Sequence, residues 1–284
     1  MALVRNTYGK ARVRIMRLKR EAERHEVREL SVQAMLEGDF ARAYTDADNA
    51  AVIATDTIKN IVNIVAHENP GADAELYCSA LARRFLDLYA QAERATITAH
   101  ETRWTRLAIN GAPHAHSFVL DGNGRPFAHV DATRAAVAVQ SGIDGFTFMK
   151  STASGWENYL HDAYTTLPET ADRICATSMD ARWSWQAAPA DYATANTGVQ
   201  AAMLEVFAMT YSASVQDSLY RMGEAAIAAV PEIAAISLAC PNKHYLPVNL
   251  SPFGLDNGNT VFTPTDEPHG QIECTVTRDA GAGA

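Results

Sequence analysis

The sequence predicts an α+β protein with antiparallel sheets. Three observations lead there. Runs of period-two alternation and runs with helical spacing both occur along the chain. They come in the order strands, helices, strands, and that order is repeated in the second half. A hairpin-type turn, "DGNGRP" at 121–126, stands between two extended runs.

Taken in order, residues 11–18 alternate, with Val13 and Ile15 on one face and Arg12 and Arg14 on the other. "HEVRELSVQAML" is a second strand, followed by a long loop through Gly38 and "TDADNA". "AAVIA" leads as a strand into "VIATDTIKN". Ile58, Ile61, Val62 and Val65 then predict a helix that "NPG" ends. Leu76, Leu81, Phe85 and Leu88 predict a second one. "RATITAHETRWTRL" and "HAHSFVL" are extended. In the second half, "RAAVAVQSGI" and "GFTFMKS" are strands parted by Gly142 and Gly145. "ARWSWQ" is extended, and two helices follow, the second ending at Pro231. "EIAAISLAC" and "HYLPVNL" are strands with Asn242, Lys243 and His244 in a turn between them, and "GQIECTVTR" is the last strand. Sheets of this kind have edges to cover, so assembly through them is expected.

Composition sets limits. The 284 residues suit one large domain or two of about 140 residues. Hydrophobic residues make up 48%, enough for a sizeable core. A net charge of −9 argues against a nucleic-acid partner but leaves room for a small anion held by one or two cations. The four cysteines form no C-x-x-C pair, which predicts free, mostly buried thiols in a reducing compartment. The N-terminal region has no secretory h-region, and no apolar run approaches membrane-spanning length. The end, "RDAGAGA", is expected to be a flexible tail without the S-K-L peroxisomal address.

Several polar groups invite chemistry. Thr55-Asp56-Thr57 can cap a helix, or supply a hydroxyl that a lysine such as Lys10 activates. His114 and His116 share a strand face, but no carboxylate or cysteine completes a metal set, so they are expected to be structural. The 151–174 segment can be a long surface loop with a cap at Thr170 or Asp172. Alternatively, Trp156 and Arg173 form a flat cationic seat for a planar anion. Gln216, just inside a helix start, can face solvent or pair with a lactam edge.

"YGKARVRI", "VIATDTIKN", "HAHSF", "KSTASGWENY", "DAYTTLPETADRI", "SVQDSLYRM" and "PNKHYLPVNL" stand in the order seen in urate oxidases. The chain resembles that family over essentially its whole length. The resemblance implies two tandem tunnelling-fold (T-fold) domains, 1–134 and 135–284. Each would have an antiparallel four-stranded sheet with two helices on one face. It further implies a homotetramer with active sites at subunit interfaces. The reaction implied is oxidation of urate by O₂ to 5-hydroxyisourate and hydrogen peroxide, with no metal or organic cofactor. The lysine–threonine dyad matches Lys10 and Thr55, and the adjacent aspartate matches Asp56. The stacking aromatic matches Trp156, where the family usually has phenylalanine. Arg173 matches the anion-gripping arginine, and Val215 with Gln216 the backbone-plus-amide pair. Asn242 and His244 match the residues over the oxygen and water position. Lacking S-K-L, the chain is expected in a bacterial-type cytoplasm, away from membranes and nucleic acid. A purine- or pterin-binding T-fold protein without turnover would lack part of the dyad. A purely structural T-fold assembly would not need Arg173, Gln216 and His244 together. An oxidase of a related oxopurine is the remaining enzymatic alternative.

Overall fold

The computed structural model describes residues 1–278; of the expected flexible tail at 278–284, Arg278 is held by its guanidinium on Ile233 O and Val230 O, and 279–284 lie outside the described residues. The chain forms two compact units, residues 1–142 and a second beginning at Ile143. In order the elements are β1 (Tyr8–Arg20), β2 (His25–Gly38), α1 (Ala41–Thr45), α2 (Thr55–Glu68), α3 (Ala74–Leu88), β3 (Ala92–Ile109), β4 (Ala112–Asp121) and β5 (Arg125–Thr133). Then come β6 (Val137–Lys150), β7 (Cys175–Trp185), α4 (Tyr192–Met209), α5 (Val215–Ala229), β8 (Ile233–Pro247) and β9 (Phe262–Thr277).

In the first unit the sheet order is β1-β2-β3-β5, all antiparallel, with β4 pairing the far end of β3. Alternation decides which face is covered. Leu30, Val32, Ala34 and Leu36 of β2 are buried, as are Ala95, Ile97 and Ala99 of β3. They form one core with Ile58, Ile61, Val62 and Val65 of α2, all at the spacing read from the sequence. The α3 face is rotated from expectation: Leu76 and Leu88 are exposed, and Tyr77, Cys78 and Leu86 point inward beside Leu81 and Phe85.

The second unit repeats the plan with sheet order β6-β7-β8-β9. Met179, Ala181 and Trp183 of β7 and Ile236, Leu238 and Cys240 of β8 pack on Val199, Met203 and Phe207 of α4 and Leu219 and Met222 of α5. All four cysteines are free; Cys78, Cys175 and Cys240 are buried and Cys274 is half-buried.

Several expectations need correction. The loop after Gly38 contains the short helix α1. "DGNGRP" is not a hairpin turn, because β4 and β5 both pair with β3 along successive stretches. Gly142 and Gly145 do not break β6; the Gly145 N–H instead donates to Asp180 Oδ1 at 2.7 Å. β8 runs through Asn242, Lys243 and His244 without a turn. Pro241 pairs in register with Gln271, and beyond Asn242 the register slips where β9 bulges out between Thr265 and Gly270. Nor is "AAVIA" a strand; α2 begins at Thr55 directly after irregular chain. The backbone there is met by side chains rather than a ladder. Tyr8 Oη accepts from Ile53 N–H at 2.8 Å, Gln91 Nε2 donates to Ala51 O at 3.0 Å, and Asp48 Oδ1 accepts from Ala50 N–H at 3.0 Å.

Candidate active site

Lys10, Thr55 and Asp56 belong to the first unit. Lys10 is half-buried on β1, opposite Ala34, just before a register slip that ends at Val13. Thr55 is the first residue of α2, not the end of a strand. Ala54 holds the N-cap position, and no side chain caps the helix, so the capping role foreseen for Thr55, Asp56 or Thr57 is absent. The first N–H groups of α2 therefore have neither an intrahelical acceptor nor a side-chain cap. They form an exposed, partly positive end suited to an anion.

The Asp56 carboxylate is turned along the helix. Lys59 Nζ donates to Asp56 Oδ1, and Asn60 Nδ2 donates to Oδ2 at 3.3 Å. The ammonium of Lys59 holds this carboxyl below its usual range, with Asn60 and the charge of Lys10 adding to the effect. Asp56 is thus an ionised, occupied carboxylate, and what it offers a ligand is its backbone N–H.

The remaining site residues belong to the second unit. The 150–174 segment has no helix, so the cap proposed at Thr170 or Asp172 has nothing to cap. Instead the segment folds back on itself. Trp156 N–H donates to Thr170 O at 2.7 Å, and Thr170 N–H returns to Trp156 O at 3.1 Å. Arg173 N–H donates to Ser154 O at 2.8 Å. Gly155 is pressed against Tyr211: a Cβ there would lie 2.1 Å from Tyr211 Oη. Gly155 N–H donates to Ser212 O, which ties the loop to the start of α5. Ser214 caps that helix by accepting from Asp217 N–H at 3.0 Å. Trp156, Arg173, Val215 and Gln216 are thereby brought to one small, cross-bonded cluster.

Within it Val215 is buried, Gln216 is exposed and Arg173 is half-buried. The Nε of Arg173 is buried with no acceptor among the described residues, an unmet charged donor that an anion can satisfy. Trp156 is half-buried and already stacks on Tyr159, with ring centroids 5.4 Å apart and 13° between planes. Tyr159 stacks in turn on His161 at 4.6 Å. This backing was missed in the sequence, although aromatic residues three and five positions after Trp156 were its signal. Asn242 and His244 lie half-buried on β8, where Asn242 pairs with Thr177 of β7, the strand that begins just after Arg173.

His114 and His116 are in edge contact at 4.6 Å, with His25 beside His116 at 5.9 Å. Arg106 donates to the carbonyls of His114, Ala115 and His25. Among the described residues no group of three or more His, Cys, Asp or Glu is arranged to hold a metal ion. Among the described residues no helix is long and apolar enough to cross a membrane.

Comparison with known proteins bears on the family and the fold. A family model described as uricase matches residues 6–131 and 139–273. The chain is 38% identical to a uricase of Arthrobacter globiformis over 98% of its own length and 91% of that protein. It is 36% identical to a uricase of Dictyostelium discoideum, with 97% of each chain covered. The crystal structure of uricase from Arthrobacter globiformis superposes with a TM-score of 0.93 at 38% identity, covering 100% of this chain and 97% of that one. The architecture is that of two tandem T-fold domains. With motifs, fold and full-length similarity in accord, the chain belongs to the uricase family.

Proposed function

We propose that this chain, a urate oxidase by family, converts urate, O₂ and water to 5-hydroxyisourate and hydrogen peroxide, with Lys10, Thr55 and His244 moving protons. No metal or organic cofactor takes part in this reading. The observation that carries the reading is the buried, unmet Nε of Arg173 beside the cross-bonded loop that presents Trp156.

The chemistry suits the residue types. Urate is a planar purine, anionic near neutral pH. The Arg173 guanidinium grips its anionic edge through two parallel donors, and the Gln216 amide both donates to and accepts from the amide-like edge. Trp156 lies under the ring and fixes its plane. The bare N–H groups at the start of α2 offer donors to an anionic edge, Asp56 N–H among them. Asn242 and the Thr55 hydroxyl hold O₂ over the opposite face. Lys10 draws a proton through the Thr55 hydroxyl, and His244 extends the relay to water. The more electron-rich urate then reduces O₂ directly, and contact between the two reactants supplies the remaining acceleration.

We further propose that the functional chain is a homotetramer with active sites at subunit interfaces, in the cytoplasm of its cell. The lysine and threonine sit in the first unit and the urate-gripping residues in the second, which suits a site assembled from more than one chain. We place the domain boundary at 134/135, in the turn where Thr133 N–H donates to Ala136 O at 2.8 Å, between β5 and β6.

One assay tests the reading. Loss of urate absorbance is followed together with O₂ uptake and peroxide release, in chelator. Wild type is expected to be active, and Lys10→Met and Thr55→Ala to lose at least about 100-fold in kcat. Full activity in both variants would overturn the dyad, and loss of wild-type activity in chelator would overturn the cofactor-free mechanism.

A further inference from the structure

We infer that Tyr8 is the positioning residue that sets Lys10 against Thr55. The inference rests on the dyad reading above. Lys10 and Thr55 are far apart in sequence and on different elements, so something must fix one against the other. The segment that delivers Thr55 has no strand partner and α2 has no side-chain cap, so neither a ladder nor a cap defines where the helix begins. Tyr8 supplies the missing constraint. Its Oη accepts the Ile53 N–H at 2.8 Å, and Ile53 is buried. Tyr8 and Lys10 are alternate residues of β1, and Ile53 and Thr55 are alternate residues of the other segment. Each member of the dyad therefore stands two residues beyond the same tie.

Both ends of the tie are themselves fixed. The Tyr8 ring meets the buried Phe40 ring edge-on, with centroids 4.8 Å apart. Between Tyr8 and Lys10, Gly9 lets β1 press onto β2; a Cβ there would lie 1.9 Å from Ala34 O. Directly after Lys10 the strand slips register, and Arg12 takes a φ of 58°. The Lys10 backbone is thus held between a close strand contact and a bulge, while the phenol spans from the same strand to the chain before Thr55. A misplacement of about 1 Å in reacting groups can cost about 100-fold in rate, so a single hydrogen bond here has kinetic weight.

Tyr8→Phe tests this, because it removes only the hydroxyl. Tyr77→Phe is the matched control. Tyr77 is buried where Tyr8 is half-buried, and its hydroxyl donates to Val62 O of the same helix, α2, at 3.0 Å, beyond the first turn. Both variants are expected to lower Tm, since each loses a hydrogen bond; Tyr8→Phe leaves the Ile53 N–H unmet, whereas Val62 O keeps its acceptor role within α2. Only Tyr8→Phe is expected to lower kcat, by about 10- to 100-fold, with the KM for urate unchanged within about twofold. Equal kcat losses in the two variants, or an unchanged kcat in Tyr8→Phe while Lys10→Met is inactive, would overturn the inference and leave the dyad standing. A fully active Lys10→Met would overturn the dyad and the inference with it. Amide exchange in the wild type gives a check independent of any variant: Ile53 is expected to be protected, and a freely exchanging Ile53 N–H would remove the tie.

Discussion

Trp156 shows how much one side chain is shaped by its neighbours. One face rests on Tyr159, and Tyr159 is pinned by donating its hydroxyl to Leu167 O and by His161 behind it. The indole is thus a backed platform. A backed ring loses less freedom when a purine stacks on its other face, so less binding energy goes into ordering it. An aromatic pair contributes about 0.5–1.5 kcal/mol beyond area, so a smaller ring weakens the stack by up to about tenfold. Trp156→Phe is accordingly expected to raise the KM for urate, or the inhibition constant of a non-reacting oxopurine, by about two- to tenfold, with kcat little changed. Steady-state kinetics with both ligands decides it. If neither constant moves, Trp156 is not the platform.

At the scale of elements, the helix starts differ in how they were specified. α5 carries its own stop and start: Ser214 caps it, and Val215 and Gln216 follow at once. Ser214→Ala is expected to cost about 1 kcal/mol of stability, seen as a lower Tm. Because the frayed turn holds Gln216, it should also raise the KM for urate; a fall in Tm with KM unchanged would detach Gln216 from substrate. Such local signals were legible in the sequence. The apolar spacing of α2, the helix start ahead of Gln216 and the alternation of β1 each depend on residues a few positions apart. What was not legible depends on distant partners. Nothing near Ala54 says that the backbone ahead of α2 is completed by Tyr8 and Gln91. Nothing near Pro241 says that β8 will run straight on while β9 bulges beside it. Likewise, "DGNGRP" has every local mark of a hairpin, and only the length of β3 makes its flanking strands successive partners instead. The candidate site divides in the same way. Its residue types came from the motifs, whereas the occupied carboxylate of Asp56 and the backing of Trp156 required the fold.

Across the molecule, charged groups buried in the first unit are expected to make stability depend on pH. Arg17 is buried on β1, with Nη1 donating to Asn69 O at 2.8 Å and the guanidinium 5.1 Å from the Tyr77 ring. Part-buried Glu101 has its carboxyl pushed up by burial, against the pull of Arg28 and other arginines. A carboxyl raised in the folded state binds its proton more tightly there than in the unfolded chain. Its contribution is therefore full below the unfolded value and is lost as pH rises through the folded one. Glu101→Gln should flatten the melting curve in that acidic window and raise Tm at neutral pH, and melts from pH 4 to 8 test it. A wild-type-like slope would assign the effect elsewhere. The free cysteines carry a further consequence for a catalyst whose proposed product is an oxidant. Burial pushes the Cys240 thiol up to about 12 and raises those of Cys78 and Cys274 as well. At neutral pH only on the order of one Cys240 in a hundred thousand is the thiolate that peroxide attacks. The fold that builds the second core thus also keeps the Cys240 sulfur in the form that hydrogen peroxide attacks least.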